Sequence, residues 1–183
     1  MNIQEFCAMF SLPEDTPTAL MKLFAYHQQV QTAYSGGFEV RIIPENMKYC
    51  FDGDTETAKQ FIEVGQTQDD SSYCFWLYDN KKISEAPIVF LGSEGTDNKV
   101  LANNLEEFLT LLSIGYDELG YADYGSEPEE AATPELQHFR TWLKQEFGII
   151  PPATGESIIE NARSQHPDLD QWFKAWQDKH YGK

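Results

Sequence analysis

Residues 87–112, PIVFLGSEGTDNKVLANNLEEFLTLL, constrain the fold of this 183-residue chain more than any other stretch. The apolar run 88–91 is too short for a helix and is typical of a strand that is covered on both faces. A glycine-bounded acidic loop and a second short strand follow it. The next segment repeats apolar residues at i, i+3, i+4 and i+7, namely Leu105, Phe108, Leu109 and Leu112. This spacing predicts an amphipathic helix, with Asn103 or Asn104 as its N-cap.

The part of the chain before this stretch changes from a helical period to an alternating one. Apolar residues at helical spacing predict helices over residues 3–10 and 20–27. Residues 38–42 and 47–51 then alternate apolar and polar side chains on either side of a turn. Alternation of this kind predicts a β-hairpin with one buried and one exposed face.

The remaining segments complete a predicted α+β fold. Residues 52–64 leave two interpretations open, a short helical turn or a distorted strand edge, whereas the aromatic run 73–78 predicts a buried strand. Residues 116–133 are acidic and rich in turn formers, which predicts a mobile loop. Three helical patterns fill the C-terminal region, residues 134–183. We therefore expect one domain, 1–183, with an antiparallel sheet and with N-terminal and C-terminal helices packed mainly on one face.

The charge of the chain restricts its partners. Thirteen basic residues against 30 acidic ones give a net charge of -17. Such a surface repels nucleic-acid phosphates and anionic membranes, so neither is expected to bind. It attracts basic proteins over long distances, although solubility alone is the simpler explanation of the acidity.

Cysteine usage and the N-terminus predict a cytoplasmic protein. Cys7, Cys50 and Cys74 are widely spaced and have apolar neighbours, which favours free thiols in a reducing compartment. The first ten residues lack the basic start of a signal peptide. No apolar run approaches the ~20 residues that span a membrane.

A search for catalytic and metal-binding motifs finds none that is convincing. The sequence has no GxSxG, no HExxH and no cysteine–histidine zinc pattern. Residues 92–98, GSEGTDN, lack the lysine of a phosphate-binding loop and are interpreted as a glycine turn. Residues 52–63 have alternate carboxylates, but Thr57 stands where a calcium loop needs glycine. We therefore predict no enzyme activity, no catalytic residues, no metal and no cofactor.

Loop acids remain as the candidates for partner binding. Tyr116, Tyr121 and Tyr124 lie among carboxylates without periodicity, and exposed tyrosines in that setting suit an interface with a basic protein. The candidate contacts are chosen because acidic loop residues are expected to be exposed: Asp69, Asp70, Glu94, Asp97, Asp123, Tyr124, Glu127, Glu129 and Glu130.

Four features together resemble the SUKH superfamily, the Smi/Knr-type proteins. They are the Ser35-Gly36-Gly37 break after the opening helices, the aromatic strand, the PIVFLGSEG segment followed by NKVLANNLEEFLTLL, and the tail TWLKQEFGIIPP with GESIIENARSQHPDLDQWFKAW. The third feature is the most specific, because it is similar to the family's strand, glycine turn, short strand and helix. These motifs consist of core and turn residues, so the resemblance concerns fold more than function.

The resemblance implies a non-enzymatic binding module. Many bacterial SUKH proteins are immunity proteins that neutralise polymorphic toxins, often nucleases, and fungal relatives are scaffolds in cell-wall regulation. The expected function is therefore that of an immunity protein, which masks the active site of a basic toxin domain. The alternative is a regulatory scaffold that binds a cellular protein. A more remote alternative is a carboxylate-based hydrolase, which needs two acids facing each other across a cleft.

Overall fold

The computed structural model describes residue Glu5 and residues 16–30, 32–41, 46–129 and 132–182. Apart from Glu5, the helix predicted over residues 3–10 lies outside these residues, and so does the candidate residue Glu130. The described residues form an α+β fold with a four-stranded antiparallel sheet, which confirms the predicted class. Its elements are α1 (Thr18–Val30), α2 (Asn46–Cys50), α3 (Thr55–Ala58), β1 (Phe61–Gln66), β2 (Ser72–Trp76), β3 (Ile88–Leu91), β4 (Lys99–Ala102), α4 (Leu105–Ile114), α5 (Pro134–Phe147), α6 (Glu156–Gln165) and α7 (Leu169–Tyr181).

The strands lie in the order β1-β2-β3-β4, and each strand runs antiparallel to the next. The register between β1 and β2 shifts between Glu63 and Gly65. Glycine is needed there because a Cβ on Gly65 would lie 2.4 Å from the ring of Phe38 and 2.5 Å from the carbonyl oxygen of Glu39. The close approach allows Glu39 to form an isolated antiparallel bridge with Gln66.

The predicted hairpin over residues 38–51 is wrong in its second half. Residues 46–50 form the helix α2, and only the bridge at Glu39 remains of the first predicted strand among the described residues. Met47 and Phe51 are both buried, whereas Tyr49 between them is 75% exposed. A spacing of four residues fits one face of a helix as well as one face of a strand, so the alternation did not distinguish the two.

Residues 52–64 contain both of the elements that the sequence left open, a short helix followed by a strand. The Asp54 carboxylate caps α3 by accepting hydrogen bonds from the backbone N–H groups of Glu56 and Thr57, at 3.2 and 3.1 Å. The chain then enters β1 at Phe61.

Side chains on one face of the sheet form the first core, together with α1, α4 and α5. Tyr73, Phe75 and Phe90 point to this face, and the ring of Phe108 on α4 lies 5.3 Å from the ring of Tyr73. Phe139 of α5 is fully buried in the same cluster. The predicted amphipathic helix at 105–112 is confirmed, with Asn104 as its N-cap and Gly115, at φ 90°, as its C-cap.

The opposite face of the sheet is also covered by helices. Trp76 and Val89 point to this face and pack in a second core with Phe51, Ala162 of α6 and Leu169 of α7. The expectation that helices pack mainly on one face is therefore wrong. The reason is that every residue of β3 is buried, so both faces of the sheet need an apolar cover.

Among the described residues, no helix combines the length and the apolar character that a membrane crossing requires.

Candidate functional site

Two acidic loops lie side by side at one end of the sheet. Because neighbouring strands are antiparallel, the β1–β2 loop and the β3–β4 loop emerge at the same end. The Ser71 hydroxyl oxygen accepts a hydrogen bond from the backbone N–H of Ser93, at 3.1 Å, and joins the two loops. Ser71 also lies 3.4 Å from the Tyr121 hydroxyl, which connects both loops to the segment after α4. These loops carry four of the candidate residues, Asp69, Asp70, Glu94 and Asp97.

The first of these loops fixes the carboxylate of Asp69 by hydrogen bonds and leaves that of Asp70 in solvent. The Asp69 carboxylate accepts hydrogen bonds from the Thr67 hydroxyl and from the backbone N–H and hydroxyl of Ser71, the last two at 3.3 and 3.0 Å. The hydrogen bond from Thr67 is the largest cause that lowers the pKa of Asp69. Asp70 has a positive φ of 64° and forms an exposed ion pair of 3.8 Å with Arg41. Both aspartates are exposed and present negative charge to solvent.

The second loop is a glycine turn, as the sequence predicts. The backbone N–H of Gly95 donates to the carbonyl oxygen of Gly92 at 2.9 Å, and Gly95 has a φ of 75°. Glu94 and Asp97 are exposed on this turn. The Thr96 hydroxyl donates to the Asp97 carboxylate at 3.2 Å.

The segment after α4 is tied to the rest of the protein by two tyrosines. Tyr116 is buried, which overturns the expectation that it is exposed. Its hydroxyl accepts from the backbone N–H of Gly155 at 2.9 Å and donates toward the carbonyl oxygens of Tyr124 and Ser126, both at 3.1 Å. The half-buried Tyr124 donates its hydroxyl to the Leu119 carbonyl oxygen at 2.8 Å. The part of the predicted mobile loop that is described therefore has specific anchors.

Burial changes both the pKa and the accessibility of these tyrosines. Burial raises the pKa of both Tyr116 and Tyr124. The hydroxyl of Tyr124, a candidate contact, points to backbone within its own segment, so only part of its ring is available to a partner. Tyr121 is the exposed member of the three, at 45%.

A cleft of about 460 Å³ opens between this segment, the break after α1 and the start of α5. Five carboxylic acids line it: Asp117, Glu118, Asp123, Glu127 and Glu129. No lysine or arginine is among the described residues that line the cleft. The Asp123 carboxylate is fixed by the backbone N–H of Gly125, at 3.2 Å, and by the hydroxyl of Ser126, at 2.7 Å.

The cleft and the two sheet-end loops adjoin each other at Tyr121. Tyr121 lines the cleft and also contacts Ser71, so it belongs to both groups. The ammonium group of Lys99 lies 5.6 Å from the centre of the Tyr121 ring, so a basic group stands beside this acidic surface. Asp117 and Glu118 were missed as candidates, although they form an acidic pair in the same predicted loop.

Within the described part of the chain, no group of three or more histidine, cysteine, aspartate or glutamate side chains is arranged to hold a metal ion. Glu63 is the buried carboxylate of the second core, away from the cleft. It accepts hydrogen bonds from Asn46, Gln66 and Ser72, at 2.8, 2.8 and 2.6 Å, which fasten α2 to the sheet.

The fold and the site define an acidic α+β protein with a carboxylate-lined cleft. Comparison with known protein families, with curated proteins and with solved structures found no match to this chain.

Proposed function

We propose that this protein is a non-enzymatic binding module that neutralises a basic toxin domain by masking its active site, as an immunity protein of the SUKH type. The observation that carries the proposal is the cleft, in which five carboxylates gather without a basic residue among its described lining. The resemblance of residues 87–112 to SUKH proteins supports the same function.

Electrostatic complementarity gives the proposal its physical basis. A nuclease binds the phosphate backbone of its substrate through lysine and arginine side chains. Carboxylates at a suitable spacing can occupy the positions of those phosphates. The net charge of -17 also accelerates the encounter with a basic partner.

The anchoring of the cleft favours tight binding. Asp123 is held by neighbouring backbone and side-chain donors, and Tyr116 and Tyr124 hold the backbone of the same segment. A surface that is already ordered loses less conformational entropy when a partner binds. A toxin of the nuclease class acts on nucleic acid inside the cell, so we infer that a protein which neutralises it works in the cytoplasm.

The proposal is tested by capturing partners of the tagged protein from its native cells. Capture at low salt and at roughly 0.5 M salt is followed by mass spectrometry, since screening weakens exposed charge contacts. We expect a basic toxin domain that the higher salt releases or weakens, and whose activity the purified protein inhibits. A captured regulatory or cell-wall protein without toxin activity would instead support the scaffold alternative.

Matched variants locate the binding surface. The double variant Asp123→Asn with Glu127→Gln removes two charges from the cleft. Glu106→Gln with Glu160→Gln removes two exposed charges from helices outside it. We expect the first variant to lower affinity for the captured partner by about tenfold or more and the second by much less, because only the first changes short-range charge contacts. Equal affinities for the two variants would contradict the role of the cleft.

A further inference from the structure

A chain of four hydrogen-bonded side chains fastens the turn between α6 and α7 to the body of the protein. The Tyr78 hydroxyl lies 2.8 Å from Nδ1 of His166, and Nε2 of His166 lies 3.0 Å from Oδ1 of Asn103. The amide nitrogen of Asn103 donates to both carboxylate oxygens of Glu107, at 3.2 and 2.9 Å. His166 therefore joins three separate segments of the fold.

The carboxylate at the end of this chain fixes the proton positions along it. A carboxylate only accepts hydrogen bonds, so Asn103 must direct its NH₂ group to Glu107 and its oxygen to His166. Nε2 of His166 then carries a proton and donates to that oxygen. In the neutral ring, Nδ1 has no proton and accepts the hydrogen bond of the Tyr78 hydroxyl.

The surroundings of the ring oppose a second proton. Tyr78 is the titratable group that it contacts directly, and two charged groups face it, Lys81 after β2 and Glu107 on α4. The Lys81 ammonium lies 4.9 Å from the centre of the Tyr78 ring. Burial, and then the charge of Lys81, lower the pKa of His166, whereas Glu107 acts in the opposite direction.

We propose that His166 is a pH-sensitive clasp that holds the α6–α7 pair on the sheet when neutral and loosens it when protonated. The imidazolium has protons on both nitrogens, so Nδ1 can no longer accept from Tyr78 and their hydrogen bond has to reverse. The added positive charge is then partly buried and faces the charge of Lys81, which disfavours the clasped form. The elements on either side of His166 are those that cover the sheet, because α6 packs along β4 and α7 supplies Leu169 to the second core. Loosening the clasp weakens the attachment of both helices.

The direction of the pH effect follows from the lowered pKa. The opened form binds a proton with an ordinary pKa near 6.5, whereas the clasped form resists it. The clasp therefore contributes its full stability above about pH 6.5, and this contribution is lost as the pH falls from there through the lowered pKa. Within that window, the ratio of opened to clasped protein rises by up to about tenfold for each pH unit.

Hydrogen exchange of the whole chain tests the clasp. The protection of backbone amides against exchange is measured in peptides from residues 156–181 and in peptides from residues 105–114. The two are compared at pH 7.5 and 5.5, after correction for intrinsic exchange rates. We expect the relative protection of residues 156–181 to fall severalfold at pH 5.5 in the wild type. In His166→Asn, which cannot titrate, the relative protection should not change with pH. Wild-type protection that is independent of pH, or an equal fall in His166→Asn, would overturn the proposal.

His138 supplies the matched control. It also has a tyrosine hydroxyl at Nδ1, that of Tyr26 at 3.0 Å, but it lies exposed on α5. His138→Asn should keep the wild-type pH response of residues 156–181, and loss of that response would count against His166 as its source. If His166→Asn does not fold, an NMR titration of wild-type His166 decides the question. A pKa below 6.5 supports the clasp, and a pKa of 6.5 or above refutes it.

Discussion

Replacing Phe51 by alanine tests whether the second face of the sheet is a true core. Phe51 is fully buried, and its ring stacks on those of Phe61 and Phe173 at centroid distances of 5.0 and 5.3 Å. The ring of Trp176 meets it edge-on at 5.1 Å. Removal of this side chain leaves a gap between α7 and the start of β1, where the remaining ring contacts are those of Phe61 with Trp172 and Phe173, at 5.5 and 6.0 Å.

The expected cost can be worked out from this environment. Phenylalanine-to-alanine substitutions in cores cost about 3–5 kcal/mol, including the cavity that remains. The side chains of Trp172, Phe173 and Trp176 are only partly buried, so α7 can move inward and fill part of that cavity. We therefore expect a loss of about 3 kcal/mol in the free energy of unfolding. For a domain of this size, that loss lowers Tm by roughly 6–12 °C.

Tyr49→Ala is the matched control for this experiment. It removes an aromatic ring two residues away, but the ring is 75% exposed and its loss should cost less than about 0.5 kcal/mol. Urea unfolding followed by circular dichroism measures both free energies. A difference of less than about 1 kcal/mol between the two variants would refute the packing of α7 on this face.

Two further substitutions, one of them paired with a control variant, test local features of the fold. Gly120→Ala should cost about 1–3 kcal/mol of unfolding free energy, because its Cβ would stand 2.3 Å from ring atoms of the buried Phe90. Gly125→Ala, with its nearest atom 3.4 Å away, should leave the urea midpoint almost unchanged, and equal midpoints for the two variants would count against the close contact. Hydrogen bonds, led by that from the Thr57 side chain, lower the pKa of Asp54 to about 2. The ionised Asp54 carboxylate therefore stabilises the fold fully above pH 3.8, and this stabilisation is lost as the pH falls toward 2. Asp54→Asn should remove that part of the acid sensitivity in unfolding measured from pH 2 to 5, and an unchanged pH profile would contradict this origin.

The unit from β3 to α4 was predictable because local signals determine it. A short apolar run makes β3, the Asn104 side chain caps α4 at 3.0 Å from the N–H of Glu107, and Gly115 ends the helix with a positive φ. Each of these signals lies within a few residues of the element it specifies. Strand and helix periods are also easiest to separate where the pattern is long, as it is in α4.

The elements that the sequence pattern predicted wrongly are determined by contacts between residues far apart in the chain. Residues 46–50 form a helix whose first residue donates from its amide to the buried Glu63, 17 positions later. Five residues are too few for periodicity to separate a helix from a strand. The helices on the second face likewise depend on which side of the sheet the C-terminal region reaches, and its own periodicity does not specify that side.

The exposure of the acidic candidates was predictable from the sequence, but their arrangement was not, and the cleft acids Asp117 and Glu118 were missed. The seven acidic candidates within the described residues are exposed, as expected of loop acids: Asp69, Asp70, Glu94, Asp97, Asp123, Glu127 and Glu129. Their grouping depends on Ser71, which joins two loops and meets Tyr121 from 50 residues away. No local pattern carries that information.

The crowding of acids in the cleft is itself an argument that it serves binding. Like charges that share a cleft repel one another, so this arrangement does not favour the folded state. Neutralising Asp123 and Glu127 should therefore change stability little in comparison with the loss of a core ring such as Phe51. Replacing a residue that supports the fold lowers the stability of the protein. Replacing a residue that serves binding lowers affinity for the partner and leaves stability unchanged. The same double variant thus separates the two roles, because a fall in partner affinity with an unchanged unfolding midpoint assigns these carboxylates to recognition.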